Sequence, residues 1–479
     1  MSVSQQLNQP ELNWSATDRA GMVRGTDRSE TPAASRSPES PTGSVRLMEE
    51  ILEWDNVQRA LKRVRSNKGA PGVDGMTVDQ LAGYLRRHWP KIRDDLLNGR
   101  YVPLPVRRKA IDKPDGSGER LLGIPAVLDR LVQQAVAQVL QAMWDPTFSE
   151  WSFGFRPERC AQQAIRQVRT FVRAGYRVSV SVDLSKFFDR VNHDRLLSRL
   201  ATRVKDKRVL RLIRAFLTSG VMIGGLVSPT DEGTPQGGPL SPLLSNIVLD
   251  ELDKELEQRG LHFARYADDF VIYVKSKRAG QRVMDSVKRY VTRTLRLKVN
   301  EAKSSVGRPW SSKFLGFCLT NSQTAPKIRI HWKSIKRFRQ RVVEITCRTR
   351  GRSLERILDE LMRYMRGWWQ YYGIAESRNR LKPLAHWVRR RLRALVWKQW
   401  RNRRTRIRNL MARGINRESA LTTGCARKGP WRMSRVYWVH LALPDTYFAE
   451  IGLQCPWIDP AGSAESPLTD PYEWWCGRG

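Results

Sequence analysis

The sequence predicts an α+β chain in two parts: helices interleaved with an antiparallel sheet up to about residue 320, then an α-helical segment. Three observations carry this. Between about 46 and 320, strand-like apolar runs bounded by turn chemistry alternate with amphipathic helical runs. Between 321 and 420, apolar residues recur at helical spacing and the charge shifts, with 28 Lys and Arg against 6 Asp and Glu. Residues 1–45 lack apolar periodicity altogether. At 479 residues, about three structural units are expected.

The first 45 residues, rich in Ser, Thr, Pro, Gly and Arg and including TPAASRSPESPTGS, read as a disordered leader. Glu11, Asp18, Asp27, Glu30 and Glu39 disfavour a transit peptide, and MSVSQQLNQPELNW has no apolar core of a signal. Leu52, Val57, Leu61 and Val64 then mark a helix that stops at NKGAPGVDG, and a second helix covers about Leu81 to Leu97. VPLPVRRKAI and RLLGIP read as strands joined by the turn Lys113, Pro114, Asp115, Gly116. Lys109, Lys113 and Arg120 share that basic finger, which suits an exposed hairpin and phosphate contact equally. Leu128 to Met143 is an apolar helix, and SFGFRPERCAQQAI opens another, with Arg156 turned to a ligand or to solvent.

Val178 to Val182 is a β-branched run that ends at Asp183 and continues LSKFFDRVNHDRL, carrying Asp189 and Asp194. A strand fixes such a carboxylate while leaving it open to solvent, although a helix N-cap is the bland alternative. A helix over Val209 to Leu217 precedes GTPQGGPLSP, Gly233 to Pro242, which is too rich in Gly and Pro for regular structure and admits close approach of a ligand. LLSNIVLDELDKEL is an amphipathic helix. FARYADDFVIYV follows, a hairpin with Asp268 and Asp269 at its turn. Adjacent like charges repel, so the pair is either a solvated turn or a site for a divalent cation. A helix from about Gly280 to Leu295, LKVNEAKSS and a strand FLGFCL complete this part.

In the helical part, Leu354, Ile357, Leu358, Leu361, Met365 and Trp368 form one stripe, and Leu384, Trp387, Val388, Leu392, Leu395 and Val396 another. Trp368, Trp369, Tyr371, Tyr372, Trp397 and Trp400 are interleaved with the basic residues, which suits stacking on unpaired RNA bases, although most of the Trp side chains are expected in the core. RNRRTRIR places Arg401, Arg403, Arg404, Arg406 and Arg408 in one run, where phosphate contact is expected.

Lys and Arg number 85 against 47 Asp and Glu, a formal charge of +38, which points to a polyanionic partner. A membrane surface is the competing partner, but no run of about 18 apolar residues and no lipidation motif is present. Six scattered cysteines without a CxxC pair fit reduced thiols in the cytoplasm.

Tyr266, Ala267, Asp268, Asp269, together with Asp183 ahead of Phe187, Phe188, Asp189 and with the PQG of 233–242, resemble the palm of a reverse transcriptase. RLLGIP, SFGFRP, GTPQGGPLSPLLSNIVLDELD, RYADDFVIYV, LKVNEAKSS and FLGF, in this order, resemble the group II intron-encoded reverse transcriptases, or maturases, from about residue 50 to 415. The resemblance implies a right-hand polymerase fold: fingers and palm over 46–320, a helical thumb and maturase region over 321–420, and a C-terminal extension over 421–479, a candidate DNA-binding region. No endonuclease is expected, because paired cysteines are absent after 418 and His440 stands alone there.

The same resemblance assigns residues. Asp183, Asp268 and Asp269 become catalytic metal ligands, with Asp268 and Asp183 principal and Asp269 assisting, for two Mg²⁺ ions that Mn²⁺ replaces. Lys113, Arg120, Phe188 and Gln236 bind dNTP, Phe188 as a gate against a 2′-hydroxyl. Tyr266 and Gly237 lie beside primer and template, and Lys303 belongs to the next palm motif. The implied partners are group II intron RNA, an RNA template with a DNA primer, target DNA and dNTPs, with no membrane and the oligomeric state open. The implied function is RNA-directed DNA synthesis, assistance to splicing and support of intron mobility. A reverse transcriptase detached from any intron and an RNA-binding splicing cofactor are the alternatives. A viral RNA polymerase fits less well, since Ala267 stands where that family has Gly.

Overall fold

A run such as FVIYV, apolar at every position, marks a strand covered on both faces, whereas helical stripes bury one face only. The structure, a computed structural model, follows both patterns and describes residues 46–457 except 113–117, 224–225, 229–231, 234–236, 323 and 377. The leader, Lys113, Gln236 and the end from 458 lie outside the described residues, and of Arg120 only the backbone is described.

Helices α1 (Leu47–Ile51), α2 (Trp54–Ser66) and α3 (Leu81–Leu97) come first, α2 burying Val57, Ala60, Leu61 and Val64. β1 (Val106–Asp112) and β2 (Glu119–Ile124) form the basic hairpin, with Ile111 opposite Arg120. α4 (Val127–Trp144) is buried around most of its circumference, as its apolar sequence requires. The next helix begins later than its sequence suggests: Phe155 and Glu158 take φ of +57° and +56°, so SFGFRPER is irregular and α5 is confined to Ala161–Arg173. Arg156 is neither surface nor ligand-facing. It is buried, bonded to the Asp145 carboxylate at 2.8 Å and to the carbonyls of Ser149 and Ser152, and holds this loop in shape.

β3 (Val178–Val182) leads to α6 (His193–Ala201) and α7 (Lys207–Thr218), capped by the side chains of Asn192 and Asp206. Short strands β4 (Val221–Ile223) and β5 (Leu226–Ser228) precede α8 (Ser241–Gln258), which has Pro242 in its first turn. β6 (His262–Tyr266), β7 (Asp269–Val274), α9 (Lys277–Arg293) and β8 (Ser305–Gly307) follow. The predicted strand FLGFCL shrinks to β9 (Phe317–Leu319), because Leu315 and Gly316 take φ of +50° and +85° and turn the chain. It pairs with β10 (Ile328–Ile330).

The helical part comprises α10 (Trp332–Ile345), α11 (Leu354–Tyr372), α12 (Lys382–Gln399), α13 (Arg403–Met411), α14 (Arg417–Gly424), α15 (Pro430–Met433), α16 (Tyr437–Ala442) and α17 (Asp445–Glu450).

One sheet has the order β6-β7-β3-β8 with every pair antiparallel; another, β2-β1-β4-β5, is antiparallel except where β1 meets β4. Phe270, Ile272 and Val274 of β7 face a core shared with α4, α8 and α9, while Val271 and Tyr273 face a second core with α5 and Phe317. At about 1.5–3 kcal/mol for each fully buried large side chain, the five apolar residues of β7 anchor it from both sides. The helices from α10 onward share a third core, and it includes Met433, Val439, Phe448 and Trp457. The described part of the expected 421–479 extension, up to Trp457, therefore packs with the helices before it. Trp368, Trp397 and Trp400 lie in that core.

Candidate active site

The register of the first sheet assembles the acidic residues. β3 and β7 pair antiparallel with Val182 opposite Phe270, so the next residue of each strand brings Asp183 opposite Asp269. β6 and β7 pair through Tyr266 and Asp269, leaving Ala267 and Asp268 as the two-residue turn. Ala267 is at φ +57°, the left-handed geometry such a turn demands.

NEAKSS, expected only as a further motif, clasps the end of β3. The Asn300 N–H donates to the Asp183 carbonyl at 2.8 Å, and the Asp183 N–H donates to Ser304 Oγ at 3.1 Å. Ser304 Oγ–H in turn donates to the Asn300 carbonyl at 2.7 Å. The backbone that carries Asp183 is thus held from both sides, which a carboxylate needs if it is to wait in place for its ligand.

Asp183 and Asp269 line a cleft of about 390 Å³ together with Ser181, Lys303, Lys313, Arg337, Tyr371 and Tyr372. Asp269 is exposed at the mouth of the cleft, yet its neighbours push its carboxyl up to about 6. Desolvation is the largest cause, followed by the charges of Asp268 and Asp183, against the opposing pull of Lys313 and Lys303. Three carboxylates therefore feel one another here. Among the described residues, no three His, Cys, Asp or Glu side chains are gathered tightly enough to cage a metal alone. That donor set still fits a hard divalent cation such as Mg²⁺, which uses one or two carboxylates and completes its shell with water and substrate phosphate.

Lys313, Arg337, Tyr371 and Tyr372 are cleft residues that the motifs did not single out. Lys313 stands beside FLGF, a local signal. Arg337 is on α10 and the tyrosines on α11, and only packing brings them here. Tyr371 Oη donates to the Leu315 carbonyl at 3.0 Å, and a Cβ on Gly316 would lie 2.5 Å from Tyr372 Oη, so the FLGF turn is pressed against α11.

Phe188 is half-buried, its ring edge-on to buried Phe187 at 5.3 Å. Tyr266 is half-buried with its ring 6.3 Å from that of exposed Phe155. Gly237 has φ +136°, and a Cβ there would lie 2.6 Å from the Gly123 carbonyl oxygen, so its small size already serves the junction with the basic hairpin. Arg401, Arg403, Arg404 and Arg408 are exposed. Arg406 differs: its Nε donates to the Trp400 carbonyl at 3.0 Å and its guanidinium lies 5.1 Å from the Trp397 ring centre, committing it to the fold. His440 is half-buried among Arg393, Asp445 and His386, and burial pushes its pKa down to about 4. No described helix is long and apolar enough to cross a membrane.

Residues 111–319 match the family model for reverse transcriptase (RNA-dependent DNA polymerase), and residues 335–414 match the group II intron maturase-specific domain. The chain is 34% identical over 301 residues to protein YkfC of Escherichia coli (strain K12), covering 54% of this chain and 79% of YkfC. It is 30% identical over 338 residues to the group II intron-encoded protein LtrA of Lactococcus lactis subsp. cremoris, covering 57% of this chain and 56% of LtrA. An uncharacterized 91 kDa protein in the cob intron of Schizosaccharomyces pombe is 35% identical over 207 residues, covering 43% of this chain and 25% of that protein. The chain thus spans about half the length of LtrA and a quarter of the yeast protein. With a polymerase model and a maturase model matched in succession on one chain, around a sheet that brings its aspartates together, the chain belongs to the group II intron-encoded reverse transcriptase and maturase family.

Proposed function

We propose that this chain copies RNA into DNA at the Asp183–Asp269 cleft and that its basic helical part holds intron RNA, assisting splicing and supporting intron mobility. The observation that carries the reading is the β3–β7 register, which sets Asp183 opposite Asp269 beside the Asp268 turn. In the reaction, the primer 3′-oxygen bonds to the α-phosphorus of a dNTP as the bond to pyrophosphate breaks. Asp183, Asp268 and Asp269 would hold Mg²⁺, or Mn²⁺ in its place, and the bound cations would activate the hydroxyl and offset charge on the leaving group. Lys303 and Lys313 place positive charge beside these carboxylates, against the negative charge that gathers on the phosphates. Lys113, Arg120 and Gln236 are assigned to the triphosphate, Tyr266 and Gly237 to the primer and template, and target DNA to the C-terminal extension over 421–479.

Purified protein given an RNA template, a DNA primer, dNTPs and Mg²⁺ should produce full-length DNA, and folded protein that makes none would sink the reading. Phe188 is the proposed sugar gate. Phe188→Ala should raise rNTP use relative to dNTP by about 10- to 100-fold, the range open to steric discrimination in a pocket, as read by competitive single-nucleotide incorporation. An unchanged ratio would remove Phe188 from this role.

The four exposed arginines make a separate prediction. Replacing Arg401, Arg403, Arg404 and Arg408 together by Ala should lower the slope of log K against log[salt] for intron RNA by about 3, while extension of a short primer persists. A filter-binding series across salt concentrations measures this, and an unaltered slope would place the RNA elsewhere.

A further inference from the structure

Arg265 immediately precedes the Tyr266-Ala267-Asp268-Asp269 turn, yet its side chain points away from the cleft and is fully buried. Its Nε and Nη2 donate to the Asp253 carboxylate, Nη2 to Oδ2 at 2.5 Å, and Asp253 is itself fully buried. Nη1 donates to Asn246 Oδ1 at 2.8 Å and to the Ala267 carbonyl at 3.2 Å. Asn246, two turns before Asp253 on α8 and also fully buried, donates from Nδ2 to the Gly154 carbonyl at 2.8 Å. Gly154 lies directly against the turn: a Cβ there would stand 2.2 Å from the Ala267 nitrogen.

A buried ion pair is a poor way to add stability, because desolvation offsets most of the attraction, and an apolar pair of similar volume generally serves as well. What a guanidinium offers is a rigid planar fork able to reach several acceptors at once. Here the fork joins helix α8 to one peptide group, the one between Ala267 and Asp268. Ala267 holds a left-handed φ of +57° without being glycine, so this conformation needs an external restraint. The bond from Arg265 to the Ala267 carbonyl supplies it, and the peptide plane so fixed sets the direction in which the Asp268 side chain leaves the backbone.

We infer that Arg265 is a positioning residue for the metal site: held by Asp253 and Asn246, it fixes the peptide that aims Asp268. The inference rests on the reading of Asp268 as a metal ligand. Arg265→Lys keeps a cation for Asp253 but cannot reach Asn246 and Ala267 as well. It should melt within a few degrees of the unaltered protein. Its affinity for Mn²⁺ in the absence of nucleotide and primer, read from the free-ion signal in electron paramagnetic resonance, should fall by about 10- to 100-fold, the usual effect of losing a residue that orients a ligand. The Mg²⁺ concentration for half-maximal primer extension should rise in parallel, with the dNTP KM at saturating Mg²⁺ unchanged. Folded Arg265→Lys with unchanged Mn²⁺ and Mg²⁺ dependence overturns the inference.

Should Arg265→Lys fail to fold, Asn246→Ala decides, since it leaves the Arg265–Asp253 pair intact and deletes the link to Gly154. A weaker Mn²⁺ affinity in this variant supports the inference, and an unchanged one overturns it. Asp268→Asn separates the two levels. If it still binds Mn²⁺ normally and polymerises, the metal-ligand reading itself fails. If it is inactive while Arg265→Lys behaves normally, only the role of Arg265 falls.

Discussion

Asp268→Asn is expected to lower primer extension by about a thousand-fold or more while leaving the protein at least as stable as before. The activity loss follows from the reaction: a bound cation supplies several kcal/mol of stabilisation to the developing charges, and the amide offers it a neutral donor in place of a carboxylate. The stability expectation comes from the same charges viewed without metal. Asp268 is the largest charge pushing the Asp269 carboxyl up to about 6, so removing it relieves repulsion in the metal-free protein.

The pH dependence tests this further. Because the folded-state pKa of Asp269 lies above its ordinary 3.8, the folded form binds the proton more tightly. Its contribution to stability is present at low pH and is lost as the pH rises through about 6. Asp268→Asn should flatten that decline, visible as a metal-free melting temperature that falls less between pH 5 and 7. Robust DNA synthesis by this variant, or a large drop in its melting temperature with no metal present, would contradict the assignment.

The largest stability effect is expected far from the cleft, at Asp445. This residue sits between two cations of α12, with Arg393 Nη2 at 2.5 Å from one carboxylate oxygen and Arg389 Nη1 at 2.8 Å from the other. Side-chain exposures are only 3% for Arg393, 10% for Arg389 and 13% for Asp445. Arg393 Nε also donates to the Leu443 carbonyl at 2.9 Å, so α12 grips the start of α17 by backbone and side chain alike. Asp445→Ala would remove the carboxylate that both nearly buried guanidinium groups share, a loss of about 3–5 kcal/mol.

The loss should be local, because the core that holds Phe448 and Trp457 is distinct from the two cores around the sheet. Hydrogen exchange should show protection falling in α12, α16 and α17 while β3 and β7 keep theirs. Equal protection in the variant would show that the pair contributes little. Replacing all three residues by apolar side chains of similar volume should recover much of the loss, since the penalty arises from breaking one member of a nearly buried charged cluster.

The elements with strong local signals are legible in the sequence. α3 over Leu81–Leu97 and β3 over Val178–Val182 fall where periodicity puts them, while the hairpin expected with Asp268 and Asp269 at its turn bends one residue earlier, at Ala267 and Asp268, with Asp269 already in the strand. The less regular stretches are not. The helix expected to open within SFGFRPERCAQQAI starts only at Ala161, because Phe155 and Glu158 adopt a left-handed backbone in a loop held by buried Arg156 and by the close packing of Gly154. The final helices bury their apolar residues against partners in α10–α12, contacts between residues far apart in sequence.

The candidate site divides along the same line. Which residues are acidic, and that they end strands or occupy turns, is written in the order of the chain, because turn and strand preferences act over a few residues. That Asp183 comes to face Asp269 depends on strand register, set by matching apolar faces across residues far apart in sequence. Arg337 and the two tyrosines enter the cleft because a helical unit packs over the sheet, and Arg406, alike in sequence to its neighbours, turns inward to Trp397 because that helix presents it there. Local chemistry thus names the carboxylates. Long-range packing decides which cations and rings stand beside them, since side-chain surroundings follow from tertiary contacts that no short window of sequence contains.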